Sequence, residues 1–141
     1  MLIGISIIFL WIQIRDLRKS VQSATYQTIV SMFDEFAKLC IEHPEIDRLL
    51  FQDSDALWNN DSKTPTVQKI QALWAIAMRF DWFESIVIQK KKYNTIPDDL
   101  YQHWISVLRE EMSFASFRKY WNTYKQFYHP YLHEEINRLP L

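Results

Sequence analysis

Glycine occurs once in the 141 residues, at Gly4, and this scarcity limits the folds open to the chain more than any other feature. Phosphate-cradling loops and the nucleophile elbow need glycine where the backbone turns tightly or lets a ligand approach closely. A Walker loop, a dinucleotide-binding fingerprint and a Gly-x-Ser-x-Gly hydrolase are thereby excluded. Helices want glycine only near their ends, so the composition favours an all-α bundle. Hydrophobic residues make up 48% of the chain and aromatics 16%, enough to build the core of one domain of ordinary size. Sixteen basic and 17 acidic residues leave a formal net charge of -1. Without a basic field, no nucleic-acid partner is expected.

Residues 1–14 read MLIGISIIFLWIQI, with no charged side chain, and Arg15, Asp16, Arg18 and Lys19 follow at once. The pattern predicts a membrane anchor built from Leu2, Ile3, Ile5, Ile7, Ile8, Phe9, Leu10, Trp11 and Ile12. A secretory signal peptide would place positive charge before the apolar run and small residues at a cleavage site after it. Neither is present. Basic residues flanking an apolar segment stay on the cytoplasmic side, which predicts a single-pass inner-membrane protein with its N-terminus outside and its C-terminal domain in the cytoplasm. Fourteen helical residues reach only about 21 Å, against about 30 Å for a hydrocarbon core. An upstream start, a thinned or protein-shielded bilayer, or a helix that enters without crossing would each reconcile the two lengths. The competing reading is an apolar helix buried in a protein core.

No proline or glycine interrupts Arg15 to Glu42, and the spacing of Leu17, Val21, Ala24, Ile29, Met32, Phe33, Phe36, Leu39 and Cys40 is helical. Residues 15–28 carry a thin apolar seam, too short on its own for a coiled coil, and are expected to form a helical stalk. Residues 29–141 are expected to form a bundle of about four to five helices. His43-Pro44 ends the first helix, because the residue before proline is pushed out of the α region. Pro44 to Phe51 reads as a short helix, Gln52 to Pro65 as a loop, and Thr64-Pro65 as the start of a helix reaching about Lys92. That helix is apolar on nearly every side, from Val67 and Ile70 through Trp74 and Met78 to Val87, and is expected to be the central one. Further helices are predicted from Asp98, over about Ser116 to Tyr128, and from Pro130 to Leu139. Cys40, the only cysteine, reads as a small buried hydrophobe.

Asp81 and Glu84 share a face of the central helix. Carboxylates in such a setting need partners, since leaving them unpaired costs several kcal/mol each. The expected remedies are arginine partners such as Arg79, Arg109 or Arg118, exposed backbone donors, or raised pKa values, in a structural network or a polar pocket. His129, His133 and Glu134 or Glu135 have part of a metal-binding spacing, weakened by Pro130, and neither a Cys-x-x-Cys pair nor a His-Glu-x-x-His run completes it. No metal and no cofactor is expected. Asp53, Asp55, Asn59 and Asp61 fail the calcium-loop pattern, with Trp58 at the turn-glycine position and Thr64 where glutamate is required. Lys90, Lys91 and Lys92 complement the dipole at the end of the central helix.

Tyr26-Gln27, Ile41-Glu42-His43-Pro44-Glu45, Asp81-Trp82-Phe83-Glu84, Trp104 and the stretch from Arg118 to Trp121 resemble a loose group of bacterial proteins of unknown function that carry an N-terminal membrane anchor and one small helical domain. The resemblance implies fold and anchoring, and no activity comes with it. The expected function is a non-enzymatic interaction module, an accessory or scaffold subunit with a protein partner or a second copy at the membrane. The alternative is a sensor that takes a small ligand beside Asp81 and Glu84.

Overall fold

A computed structural model describes residues 2–59 and 63–140, with side chains from Leu10 onward in the first helix. The described residues are all-helical: α1 (Leu2–Glu42), α2 (Pro44–Phe51), α3 (Ser54–Trp58), α4 (Thr66–Lys91), α5 (Asp98–Met112), α6 (Ala115–Tyr124) and α7 (Pro130–Arg138), with a 3-10 turn over Lys125–Phe127. Proline sets several boundaries, as expected from its fixed φ and missing donor. Pro44 and Pro130 open α2 and α7, and Pro65 and Pro97 stand just before α4 and α5. With glycine absent from this part of the chain, Asn94 takes the left-handed turn after α4 at φ 50°. Its N–H donates to the Lys90 carbonyl at 3.1 Å, closing the helix as an αL cap does.

The expected loop after Phe51 contains α3, whose first turn is capped by the Asp53 carboxylate accepting from the Ala56 N–H at 3.3 Å. Asp61, part of the acidic run, lies outside the described residues. The helix expected over Ser116 to Tyr128 ends at Tyr124 and tightens into the 3-10 turn.

Helix α4 is central, touching α1, α2, α5, α6 and α7. Ala72, Ala75, Ile76, Phe80, Trp82, Phe83, Ile86 and Val87 are its buried apolar face. Phe80 stacks on Tyr120 and Trp121 with ring centres 5.5 and 5.4 Å apart, and Ser116 Oγ donates to the Leu50 carbonyl, tying α6 to α2. The expectation that α4, apolar on nearly every side, is the most buried helix needs correction in its N-terminal half. Val67, Ile70, Trp74 and Met78 are exposed, because no helix among the described residues covers the outer side of its N-terminal half.

Helix α1 runs unbroken through the expected anchor and stalk. Residues 10–20 are exposed throughout, and packing on the bundle is established with Ile29 and Phe36. The side chains of Leu2, Ile3, Ile5, Ile7, Ile8 and Phe9 lie outside the described ones. Among the described residues no helix is long and apolar enough to cross a membrane. The expected transmembrane crossing is therefore not supported, since four charged residues from Arg15 to Lys19 follow the apolar run too soon.

Candidate functional site

The inward face of α4 carries a buried ion pair. Arg79, 2% exposed, donates through Nε to Glu111 Oε2 at 3.2 Å and through Nη2 to Glu111 Oε1. The guanidinium carbon lies 4.3 Å from the Trp82 ring centre, 4.7 Å from Phe36, 5.0 Å from Phe83 and 5.4 Å from Phe33. Nη1 has no hydrogen-bond acceptor, and these ring faces offer it a π partner instead. Burial raises the Glu111 pKa above the ordinary carboxylate value, with Arg79 pulling it back. Next to the pair, Trp82 Nε1 donates to the Ile29 carbonyl at 3.0 Å, so the same cluster fastens α1 to α4.

This pair was not anticipated as such. Sequence spacing alone points Arg79 to Asp81 and Glu84 and gives Glu111 no partner. The signal was present in α5, where Glu111 continues the inward spacing of Trp104, Val107 and Leu108 before Met112. A carboxylate inside an apolar stripe requires a buried cation.

Asp81 and Glu84 do share a face, but among the described residues neither pairs with an arginine, and Glu84 takes the backbone-donor alternative. Two residues of helix place Asp81 about 200° round from Arg79, on the exposed side. Arg118 instead donates to the Met112 carbonyl at 3.0 Å and to the Ser113 carbonyl, capping α5. Arg109 is exposed near the end of α5. Glu84 Oε1 accepts the backbone N–H of His129, the residue that caps α7 through Nδ1 accepting from the Tyr131 N–H at 3.1 Å. The Tyr128 hydroxyl, 3.2 Å from that of Tyr120, lies beside Asp81 and favours its charged form. Burial, then the Glu84 charge, raise the Asp81 pKa, while the Tyr128 hydroxyl opposes them. A cleft of about 110 Å³ lies beside Asp81, between α1 and α4, walled by Met32, Glu35, Phe36, Met78, Arg79 and Trp82.

The histidines and acids of α7 are engaged within the protein. His133 Nε2 is 2.7 Å from the Lys125 carbonyl. Lys91 Nζ reaches Glu134 at 2.9 Å and Glu135 at 2.8 Å, and Arg138 also meets Glu135, at 3.1 Å. Among the described residues no group of three or more His, Cys, Asp or Glu could hold a metal. Cys40 is half-buried, and burial, reinforced by Asp47, pushes its thiol up to about 11.

The outer side of α4 is the other distinctive surface. Trp74 is 68% exposed, in a row with Val67, Ile70 and Met78. Beside it lies a groove of about 240 Å³ walled by Ile70, Leu73, Trp74, Ala77, Tyr120 and Tyr124. Comparisons with protein-family models, curated proteins and solved structures find no match to the chain.

Proposed function

We propose that the chain is a non-enzymatic, membrane-attached helical interaction module, an accessory or scaffold subunit that receives a helix of a protein partner on the outer side of α4. The observation that carries this reading is the exposed row Val67, Ile70, Trp74 and Met78 beside the groove walled by Tyr120 and Tyr124. Grooves of this kind take the apolar face of an amphipathic helix, and Trp and Tyr dominate the energetics of interface centres. Asp81 ends the row and Glu35 of α1 flanks it. The partner helix therefore carries a basic residue at that end.

Membrane attachment is the second part of the proposal. Its support is the charge-free run before Arg15 and the Arg15 guanidinium held 5.5 Å from the Trp11 ring centre. Trp and Arg side by side mark the headgroup level. The N-terminal end of α1 embeds beside other membrane protein, with the bundle on the cytoplasmic face of a bacterial inner membrane. The resemblance to anchored bacterial helical domains agrees with this arrangement and adds no activity.

Gentle solubilisation of native membranes is expected to recover the chain with a stoichiometric protein partner. Trp74→Asp should lose that partner with its own melting unchanged, because Trp74 is exposed. Recovery of a bare chain, or equal capture by the variant, would sink the reading.

The sensor reading rests on the cleft beside Asp81 and on the lack of any arginine paired to that carboxylate among the described residues. A small organic cation that raises the melting temperature of the wild type, but not of Asp81→Asn, would support it. Equal responses from a panel of such cations would reject it.

A further inference from the structure

Because α1 is one uninterrupted helix, its apolar positions can be counted through the boundary between the expected anchor and stalk. Ile3, Ile7, Leu10, Ile14, Leu17, Val21, Ala24 and Thr28 then fall on consecutive d and a positions of a single heptad register. The a positions hold Ile7, Ile14, Val21 and Thr28, all β-branched. The d positions include Leu10 and Leu17. β-Branched residues at a with leucine at d are the combination that favours two parallel strands. A seam judged too short when counted from Arg15 exceeds three heptads when counted along the whole helix, enough to specify a coiled coil.

Where its side chains are described, from Leu10 to Thr28, this seam is exposed. Leu10, Ile14, Leu17 and Val21 are 44 to 65% exposed. The residues with which α1 packs on its own bundle, Ile29, Met32 and Phe36, fall at b and e positions of the same register, on a different face. Charge placement agrees: Arg15, Asp16 and Lys19 occupy the outer b, c and f positions, and Arg18 at e meets the neutral Gln13 at the partner's g position. The seam also stops where the bundle begins, since the next d, a and d positions are Ser31, Glu35 and Lys38. At that end a groove of about 250 Å³ opens between α1 and α4, lined by Val21, Ala24, Thr25, Thr28, Ser85 and Gln89. The small side chains of Ala24 and Thr28 let a second helix pass beside α4.

We infer that the chain forms a homodimer through a parallel two-stranded coiled coil of α1 with the α1 of a second copy. The inference does not depend on the helix docked at Trp74 or on membrane attachment.

Single cysteines placed in the full chain on a Cys40→Ala background test it. Under mild oxidation, Leu10→Cys and Leu17→Cys, both at d, are expected to give disulfide-linked dimers, while Lys19→Cys at the outer f position stays unlinked. Absence of links at the seam, equal linking at all three positions, or linking at only one seam position would overturn the proposal. Ile14→Asp supplies a second readout. Its mass in mild detergent should fall from two chains to one while the helical circular dichroism and the melting of the bundle stay unchanged, since Ile14 is 65% exposed. A two-chain mass in this variant would also overturn the proposal.

Discussion

Two acidic sites sit within two turns of each other around α4, and their surroundings could hardly differ more. Glu111 meets Arg79 inside a cage of four aromatic rings, with both side chains nearly shut off from water. Asp81 and Glu84, on the other side, face solvent in part; Glu84 accepts a backbone N–H and Asp81 lies beside the Tyr128 hydroxyl. The buried pair joins α4 to α5 and, through Trp82, to α1. The outer acids join α4 to the start of α7. A carboxylate taken out of water must have a full charge opposite it, whereas one at the surface manages with dipoles. That difference in desolvation separates the part of α4 that holds the fold from the part free to meet a ligand or partner.

The largest expected effect tests the buried side. Glu111→Ala strands the Arg79 charge and should cost about 3–5 kcal/mol in chemical denaturation. The double replacement Arg79→Met with Glu111→Leu should restore most of that loss, because an apolar pair of similar volume is often neutral or stabilising. Equal losses in the two proteins would show that packing, rather than charge burial, governs the site. On the outer side, Glu84→Ala removes the acceptor of the His129 N–H. A loss of about 1–3 kcal/mol is expected, with faster hydrogen exchange at the His129 amide.

Asp81→Asn should have the smallest effect, below about 0.5 kcal/mol, because solvent screens the site. Its sign is informative. Burial and Glu84 raise the Asp81 pKa, so the folded state prefers the protonated acid. The stability it contributes is present at acid pH and is lost as pH rises from the ordinary carboxylate range through the raised value. The variant should therefore be slightly more stable than the wild type near neutrality and match it at low pH. A destabilised variant at neutral pH would place Asp81 with the buried class.

Local chemistry was legible in the sequence wherever proline or hydrophobic period acts within one turn. His43-Pro44 ends α1 at Glu42, and α2 occupies Pro44–Phe51 as read. The five-residue α3 is not legible because its run is too short for a period, although Asp53 is a good cap for it. The partner of Arg79 is not legible for a different reason: Glu111 lies 32 residues away in sequence, and only the packing of α5 on α4 brings the two together. The exposure of Trp74 was hidden likewise, since an apolar helix reads the same whether or not a neighbour covers its outer side.

The continuity of α1 has a mechanical consequence. At about 1.5 Å per residue, the stretch from Leu10 to Ile29 sets roughly 28 Å between Leu10 and the first buried residue of the helix. No flexible joint interrupts that distance, so the helix acts as a ruler. Height and azimuth are coupled along it: one inserted residue would turn the bundle by about 100°, whereas seven would lift it about 10 Å and nearly restore its heading. Where Trp74 points, and how far from the N-terminal end it stands, are set by the number of residues in a segment that barely touches the rest of the protein.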